Sequence, residues 1–251
     1  MTHDLSAAAL SIAVAVFVVA GLVKGVVGLG LPTLAMAMLA LVMPTTHAAA
    51  LLVVPSLVTN LLQLRPLRTL RPMLLRLGGM QAGICAGSLL GSWWLGPPTG
   101  RGATAALGVV LMLYAAWGLL GARLTVPAAA EKWLGPFAGA STGLVTAITG
   151  VFVVPAVPYL QALSLQKDEL VQAMGVSFTV STVALGIGLA SQGVYSAAAA
   201  ASSLAMLVPA LAGMVLGQWL RSFLSARVFK TCFFAGLALL GAHMAAQGWR
   251  P

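Results

Sequence analysis

Apolar runs of membrane-spanning length, separated by short glycine, proline or arginine breaks, leave this chain almost no way to fold in water. Ten such segments are legible: 5–23, 30–43, 46–64, 77–95, 103–121, 134–149, 151–163, 171–190, 197–219 and 231–248. A helix needs about 20 apolar residues to cross the hydrocarbon core, and most of these segments approach that length. Charged residues are only 7% of the chain, where a soluble domain carries roughly 25%. The period-2 alternation of an outer-membrane barrel is absent. The expected fold is therefore an all-α polytopic membrane protein. Connections of at most about a dozen residues, such as 65–76, leave no room for an extramembrane catalytic or nucleic-acid-binding domain. The first segment follows Asp4 with no basic residue before the apolar run, so it reads as a retained helix rather than a secretory signal. Cys85 and Cys232 both fall inside apolar segments and read as buried packing residues, not as a disulfide or metal framework.

Two segments, 30–43 and 151–163, are too short to cross comfortably, and each follows a glycine break. That coincidence points to an internal repeat. Gly21-x-x-x-Gly25 reappears as Gly139-x-x-x-Gly143, each followed by a further glycine (Gly30, Gly150) and a proline (Pro32, Pro155). Further on, Gly87-x-x-x-Gly91 before Trp93 and Trp94 matches Gly213-x-x-x-Gly217 before Trp219. The chain divides into two membrane repeats, 1–122 and 123–251, each of about five segments with a glycine-broken short helix.

Charge distribution tests the number of crossings. The net charge of +9 is spread through short loops rather than clustered, so it reports topology, not a nucleic-acid partner. If all ten segments cross, eleven basic residues share the face of the 65–76 loop and only Arg101 and Arg250 lie opposite. If the two short segments turned back, the split would be seven to six. The positive-inside rule selects ten crossings. Five crossings per half make the repeats inverted, an arrangement many secondary transporters use. Both termini are then extracytoplasmic, in a multi-pass protein of the cell membrane.

The glycine breaks are also where chemistry is expected. Glycines 25, 28 and 30 can unwind a helix in the membrane, which is tolerated where the backbone lines a cavity or is buried in protein. The helix starting near Leu31, with Pro32 suited to its first turn, would present free N–H groups and partial positive charge to a small anion. Gly150 and Pro155 would make the same device in the other half, facing the first. The competing role for these glycines is tight helix packing, which is also the reading of Gly79, Gly83, Gly87 and Gly91. Lys24 either neutralises an anion beside the break or snorkels to the interface. Ser56, Thr59 and Asn60 share one face of the third segment, and Thr179 and Thr182 stand at the matching place in the other half, near Ser177 and Ser181. Thr33, Thr146 and Thr149 adjoin the breaks. Hydroxyls and amides there supply hydrogen bonds to an oxyanion, or act as glue between helices. The candidate substrate-binding set is thus Lys24, Gly25, Gly28, Gly30, Thr33, Ser56, Thr59, Asn60, Thr146, Thr149, Gly150, Thr179 and Thr182. His47 opens a helix after Pro44 and reads as an interfacial residue, while Trp93, Trp94, Trp133, Trp219 and Trp249 sit where interfacial anchors belong.

These motifs carry a resemblance. The stretch from Lys24 to Pro32 (KGVVGLGLP), then Met43-Pro44 and His47 to Ala50, resembles the first repeat of the TauE/SafE sulfite-exporter family. The second half, from Gly143 to Pro155 and from Leu170 to Gly175, looks like its diverged second repeat. The resemblance implies a membrane carrier for sulfite, sulfonates or related small anions, commonly exporting them and needing no cofactor.

Independently, Asp4, Glu131, Asp168 and Glu169 all lie in loops or at the terminus. A membrane without carboxylates disfavours a metal or sodium cargo and an Asp/Glu proton relay. The expected function is a secondary transporter of a small sulfur-containing anion by alternating access, its partners being that anion and the bilayer. A homo-oligomer is compatible with it. The alternatives are an intramembrane enzyme, for which no nucleophile–base pair is evident, and a non-transporting assembly subunit.

Overall fold

The computed structural model describes residues 7–121 and 124–248. His3, Asp4, Arg123, Trp249, Arg250 and Pro251, which enter the charge and anchor readings above, lie outside the described residues. The described chain is helical, with α1 (Ala7–Val27), α2 (Leu31–Leu39), α3 (Thr45–Leu61), α4 (Leu70–Leu95) and α5 (Gly100–Leu120) in its first part. The second part comprises α6 (Ala128–Thr149), α7 (Ala156–Ala162), α8 (Lys167–Ser191), α9 (Ala197–Ala205), α10 (Leu207–Leu220) and α11 (Ala226–Gly248). Seven stretches are long and apolar enough to cross a membrane, with α9 and α10 acting as one. The bend between them at Met206 has a local cause: Pro209 cannot donate to the Ala205 carbonyl one turn earlier. Helix α6 has the length, 22 residues, but carries Glu131, Lys132 and Pro136 and falls outside those seven.

Contacts along paired helices fix their directions. Gly21 meets Ala210 and Gly25 meets Met214 to Gln218, so α1 and α10 run parallel. Gly83 meets Pro136 and Gly143 meets Ser88, so α4 and α6 are parallel too. Gln81 reaches Ser177 and Gly188 abuts Ser92, making α8 parallel to α4. In contrast, α5 and α11 are antiparallel, with Gly108 against Ala245 and Gly118 against Phe234. So are α3 and α8, with Val53 beside Gly186 and Gln63 beside Gly175. The short turn 192–196 reverses α8 into α9 and α10. Helices α1 and α3 therefore point the same way, as do α6 and α8. The connections holding α2 and α7 must carry the chain back across the bundle. Neither is a re-entrant hairpin.

These directions sort the charges. Lys24, Arg65, Arg68, Arg71, Arg76, Lys132, Lys167, Arg221, Arg227 and Lys230 lie toward one end of the bundle, and only Arg101, among the described residues, lies at the other. At the basic end Arg76 clamps Glu131 with two bonds, 2.9 Å from Nε and 2.7 Å from a terminal nitrogen, tying α4 to α6. Trp93, Trp94, Trp133 and Trp219 are all more than half exposed near helix ends, as interfacial anchors are.

Two crossings are made backbone on backbone. A Cβ on Gly21 or Gly25 would sit 2.2 or 2.3 Å from a carbonyl oxygen of α10, and one on Gly213 or Gly217 only 2.1 Å from a carbonyl of α1. The α4–α6 crossing repeats this geometry, with Gly83 and Gly87 against α6 and Gly139 and Gly143 against α4 at 2.1–2.3 Å. The register of the sequence match needs one correction. The residues standing where Gly213 and Gly217 stand are Gly83 and Gly87, one turn before the Gly87–Gly91 pair. A Cβ on Gly91 would meet the side chains of Ala147 and Leu144 first, at 2.9 and 3.2 Å, and no carbonyl oxygen. Gly25 also changes role. It lies inside continuous α1, and helix α1 ends beyond it, at Val27. It is a packing residue, not part of the break.

Proline in a membrane helix must have its lost hydrogen bond repaired. In α3, Pro55 cannot donate to Leu51 O, and Ser203 of α9 does so instead at 2.9 Å while accepting from Val54 N at 3.0 Å. One buried hydroxyl thus satisfies both groups disturbed by the proline. The cysteines are less enclosed than expected: Cys85 is half-buried and Cys232 is exposed.

The crossings predict a contrast between two glycines of similar helical setting. Gly139→Ala, whose Cβ would sit 2.1 Å from Met80 O, should cost about 1–3 kcal/mol as overpacking does. Gly78→Ala, with nothing within 4 Å, should be neutral or gain up to about 1 kcal/mol of helix propensity. Unfolding midpoints in detergent would compare the two.

Candidate functional site

A buried polar centre forms where α1, α3 and α8 meet. Lys24 is 3% exposed and projects its ammonium to Asn60 Oδ1 on α3. Asn60, fully buried, points its amide at Thr182 Oγ1 on α8 at 3.4 Å. Three candidates from the sequence, drawn from both halves of the chain, are joined in one file. Among the described residues the ion pair is that of Arg76 with Glu131, far along the sequence from this lysine. The other described carboxylates, Asp168 and Glu169, lie exposed in the first turn of α8. Lys24 therefore does not snorkel. It is enclosed with an amide as its partner, in surroundings that supply hydrogen bonds but no countercharge. A buried cation without one is costly.

Hydroxyls divide the remaining candidates into two groups. Thr59, Thr146, Thr149, Thr179 and Thr182 each donate at 2.7 Å to the carbonyl four residues earlier in their own helix. Their protons are spent internally. Thr33 on α2, Ser56 on α3 and Ser181 on α8 are buried with hydroxyls that have no partner. Ser56 stands one turn before Asn60, on the same face of α3, and Ser181 directly precedes Thr182. These hydroxyls hold unused donors at the level of the lysine's own helices.

The first break is real but narrower than 25–30. Gly28 N donates to Lys24 O at 2.8 Å, closing α1, and Gly28 and Gly30 take φ of 85° and 104°. Those values suit glycine alone. Gly30 caps α2, Pro32 falls in its first turn, and Leu34 N returns to Gly30 O at 2.8 Å. The Gly28 carbonyl accepts a bond from Gln63 Nε2, in the 3-10 turn Leu62–Leu64 after α3. Gln172 of α8 holds the next loop by donating to Leu64 O and Pro66 O at 2.7 and 2.8 Å.

The second break is built differently. Gly150, φ 72°, caps α6 through its N–H to Thr146 O. A buried irregular stretch, 151–153, and a turn at 154–155 intervene before the seven residues of α7. Gly150 packs against Met36 of α2 and Ala49 of α3. Because α1 ends at the basic side of the bundle and α6 at the other, the two breaks do not open onto each other. The expected pair of facing helix starts is absent: Gly150 and Pro155 do not begin a helix together. His47 is exposed on the first turn of α3 and stands apart from the centre, while Thr45 and Thr46 donate to Pro98 O.

Sequence reasoning missed Gln63, Gln81, Gln172 and Ser203. The glutamines had a signal, being amides set in or beside apolar runs. Gln81, buried, donates to Ser177 at 3.0 Å. Ser203 had none, since only the fold brings it to Pro55.

A helical bundle with apolar, tryptophan-flanked helices, two broken segments crossing it and a lysine enclosed within it defines a polytopic integral membrane protein. The chain belongs to the sulfite exporter TauE/SafE family, whose sequence model matches residues 13–244, nearly its whole length. Comparison with curated proteins and with solved structures gave no match.

The lysine–asparagine pair predicts an uneven set of stabilities. Asn60→Leu leaves the ammonium buried without its acceptor and should cost about 3–5 kcal/mol. Lys24→Met with Asn60→Leu removes both partners and should recover most of that loss in a thermal melt. A double variant no more stable than Asn60→Leu would show that the pair is not what Asn60 supports.

Proposed function

We propose that the protein is a secondary carrier that moves a small sulfur-containing anion, sulfite or a sulfonate, across the cell membrane, in the family's export direction. The observation that carries this reading is the enclosed Lys24 ammonium, bonded to Asn60 and lacking a carboxylate, at a junction of helices from both halves of the chain. An oxyanion would supply the missing countercharge and accept from Lys24 and from the free hydroxyls of Thr33, Ser56 and Ser181. The start of α2 beyond Gly30 adds partial positive charge near the same level. Carboxylates, which a cation would require, are kept to the helix ends.

The reciprocal pairing supports alternating access. The first helix of each half packs in parallel on the third long helix of the other half, with the same glycine geometry. An inverted repeat generates such exchange, and rocking one pair against the other would expose the lysine alternately to either side. The positive-inside rule supports the basic end of the bundle as the cytoplasmic end, and with it the reading of both termini as outside.

Two experiments test this. In detergent, sulfite or a sulfonate at a hundred times its dissociation constant should stabilise the protein by about 2.7 kcal/mol, acetate, chloride and cations serving as comparisons. Lys24→Met should abolish that response while remaining folded, and a flat response of the native protein to all anions would overturn the reading. Separately, a reporter fused after Pro251 should be active outside the cytoplasm.

A further inference from the structure

The basic end of the bundle carries a cavity of about 930 Å³ walled by Arg65, Pro66, Leu67, Lys167, Asp168, Val171 and Arg221. Three cations and one carboxylate give it a net charge of +2. Its walls come from three places that converge on the polar centre. Arg65 follows Asn60 by five residues, through the turn containing Gln63. Arg221 follows Gln218 by three residues, and Gln218 N lies against Gly25, the residue after Lys24. Lys167 and Asp168 begin α8, which carries Thr182 about four turns further on. Gln63, in the turn between Asn60 and Arg65, donates to the Gly28 carbonyl of the broken segment. A Cβ on Gly28 would meet nothing within 4 Å, so the backbone there borders open space.

We infer that this cavity is the mouth through which the anion reaches Lys24 from the basic side, the Arg65, Lys167 and Arg221 charges gathering it and the Gln63–Gly28 contact closing the way between. The inference rests on the carrier reading and adds to it a route and a set of residues that govern capture rather than binding at the centre. Loop cations that served orientation alone would affect insertion but not the concentration dependence of transport. A mouth that steers anions has a different signature. Its charges set the rate of encounter, which falls as salt shortens the Debye length to about 8 Å at physiological ionic strength.

The carboxylate makes the signature two-signed. Each unit charge about 10 Å from the anion's path in water changes its local concentration about two-fold. The probe is sulfite flux into membrane vesicles of defined sidedness. In inside-out vesicles at low ionic strength, Arg65→Gln with Lys167→Gln and Arg221→Gln should raise KM about eight-fold. Asp168→Asn should lower it about two-fold. Both effects should shrink at 0.15 M salt and be absent in right-side-out vesicles. Seven of the ten described basic-end residues remain in the triple variant, and protease accessibility of the tail checks its orientation. Should it fail to insert, Lys167→Gln and Asp168→Asn carry the test by their opposite signs. Unchanged KM, equal changes from both sides, or the same sign for both single variants would overturn the mouth while leaving the carrier intact. Absence of sulfite and sulfonate flux in the native protein from either side would instead remove the carrier reading, and the mouth with it.

Discussion

Direct contact between helix backbones is the constraint on which the rest of this structure depends. In a bilayer, apolar side chains gain little by leaving lipid for protein, so helices associate through close packing and hydrogen bonds. Here α1 meets α10, and α4 meets α6, through glycines whose missing side chains admit the partner's carbonyls. Such crossings fix helix register to one residue, because moving by one places a Cβ where a carbonyl stands. They also fix direction, and direction decides everything downstream. Once α1 is parallel to α10 and α3 antiparallel to α8, the short helix α2 has to traverse the bundle. The break at Gly28–Gly30 and the enclosure of Lys24 follow from that traverse.

Polar groups inside the bundle obey a strict economy of protons. Six threonines return theirs to their own helix backbones, and Ser203 repairs the proline of α3. Glutamines 63, 81 and 172 bridge elements that helix packing alone would not hold together. Against that background the unpartnered hydroxyls of Thr33, Ser56 and Ser181 stand out, since a buried polar group left unsatisfied costs about 1–3 kcal/mol. They stand on α2, α3 and α8, and the anion site proposed above draws on them.

Much of this was legible in the sequence, for physical reasons that also mark where it stopped. Apolar length gives the helices, and arginine placement gives the common face, because both are one-dimensional properties. The short segments were visible from Gly28, Gly30 and Gly150. Gly25 was misassigned because a glycine that unwinds a helix and one that admits a neighbour look alike until the neighbour is seen. The register error in α4 has the same origin: four glycines at four-residue spacing, from Gly79 to Gly91, offer several equivalent matches, and only contact with Ala140 and Pro136 selects Gly83 and Gly87. Lys24, Asn60 and Thr182 were all named, yet their union was not readable. It depends on the crossing angles of three helices that the chain visits at long intervals.

The two breaks differ in a way that bears on how the halves divide the work. Around Gly30 a helix restarts at once, so its first turn stays near Lys24. Beyond Gly150 the chain runs irregularly through Val151, Phe152 and Val153, all buried and apolar, and then forms one short helix. Phe152 stacks against Phe178 of α8 with ring centroids 5.2 Å apart, filling with aromatic carbon the region where a second polar start would otherwise lie. The second half therefore contributes to the centre mainly through α8, by Thr182 and Ser181, and its own break serves as a packed hinge beside Met36 and Ala49. In the carrier proposed above, halves that match in backbone arrangement but not in chemistry would keep the symmetry that motion requires around a single centre. The charge of that centre sits on the first half alone.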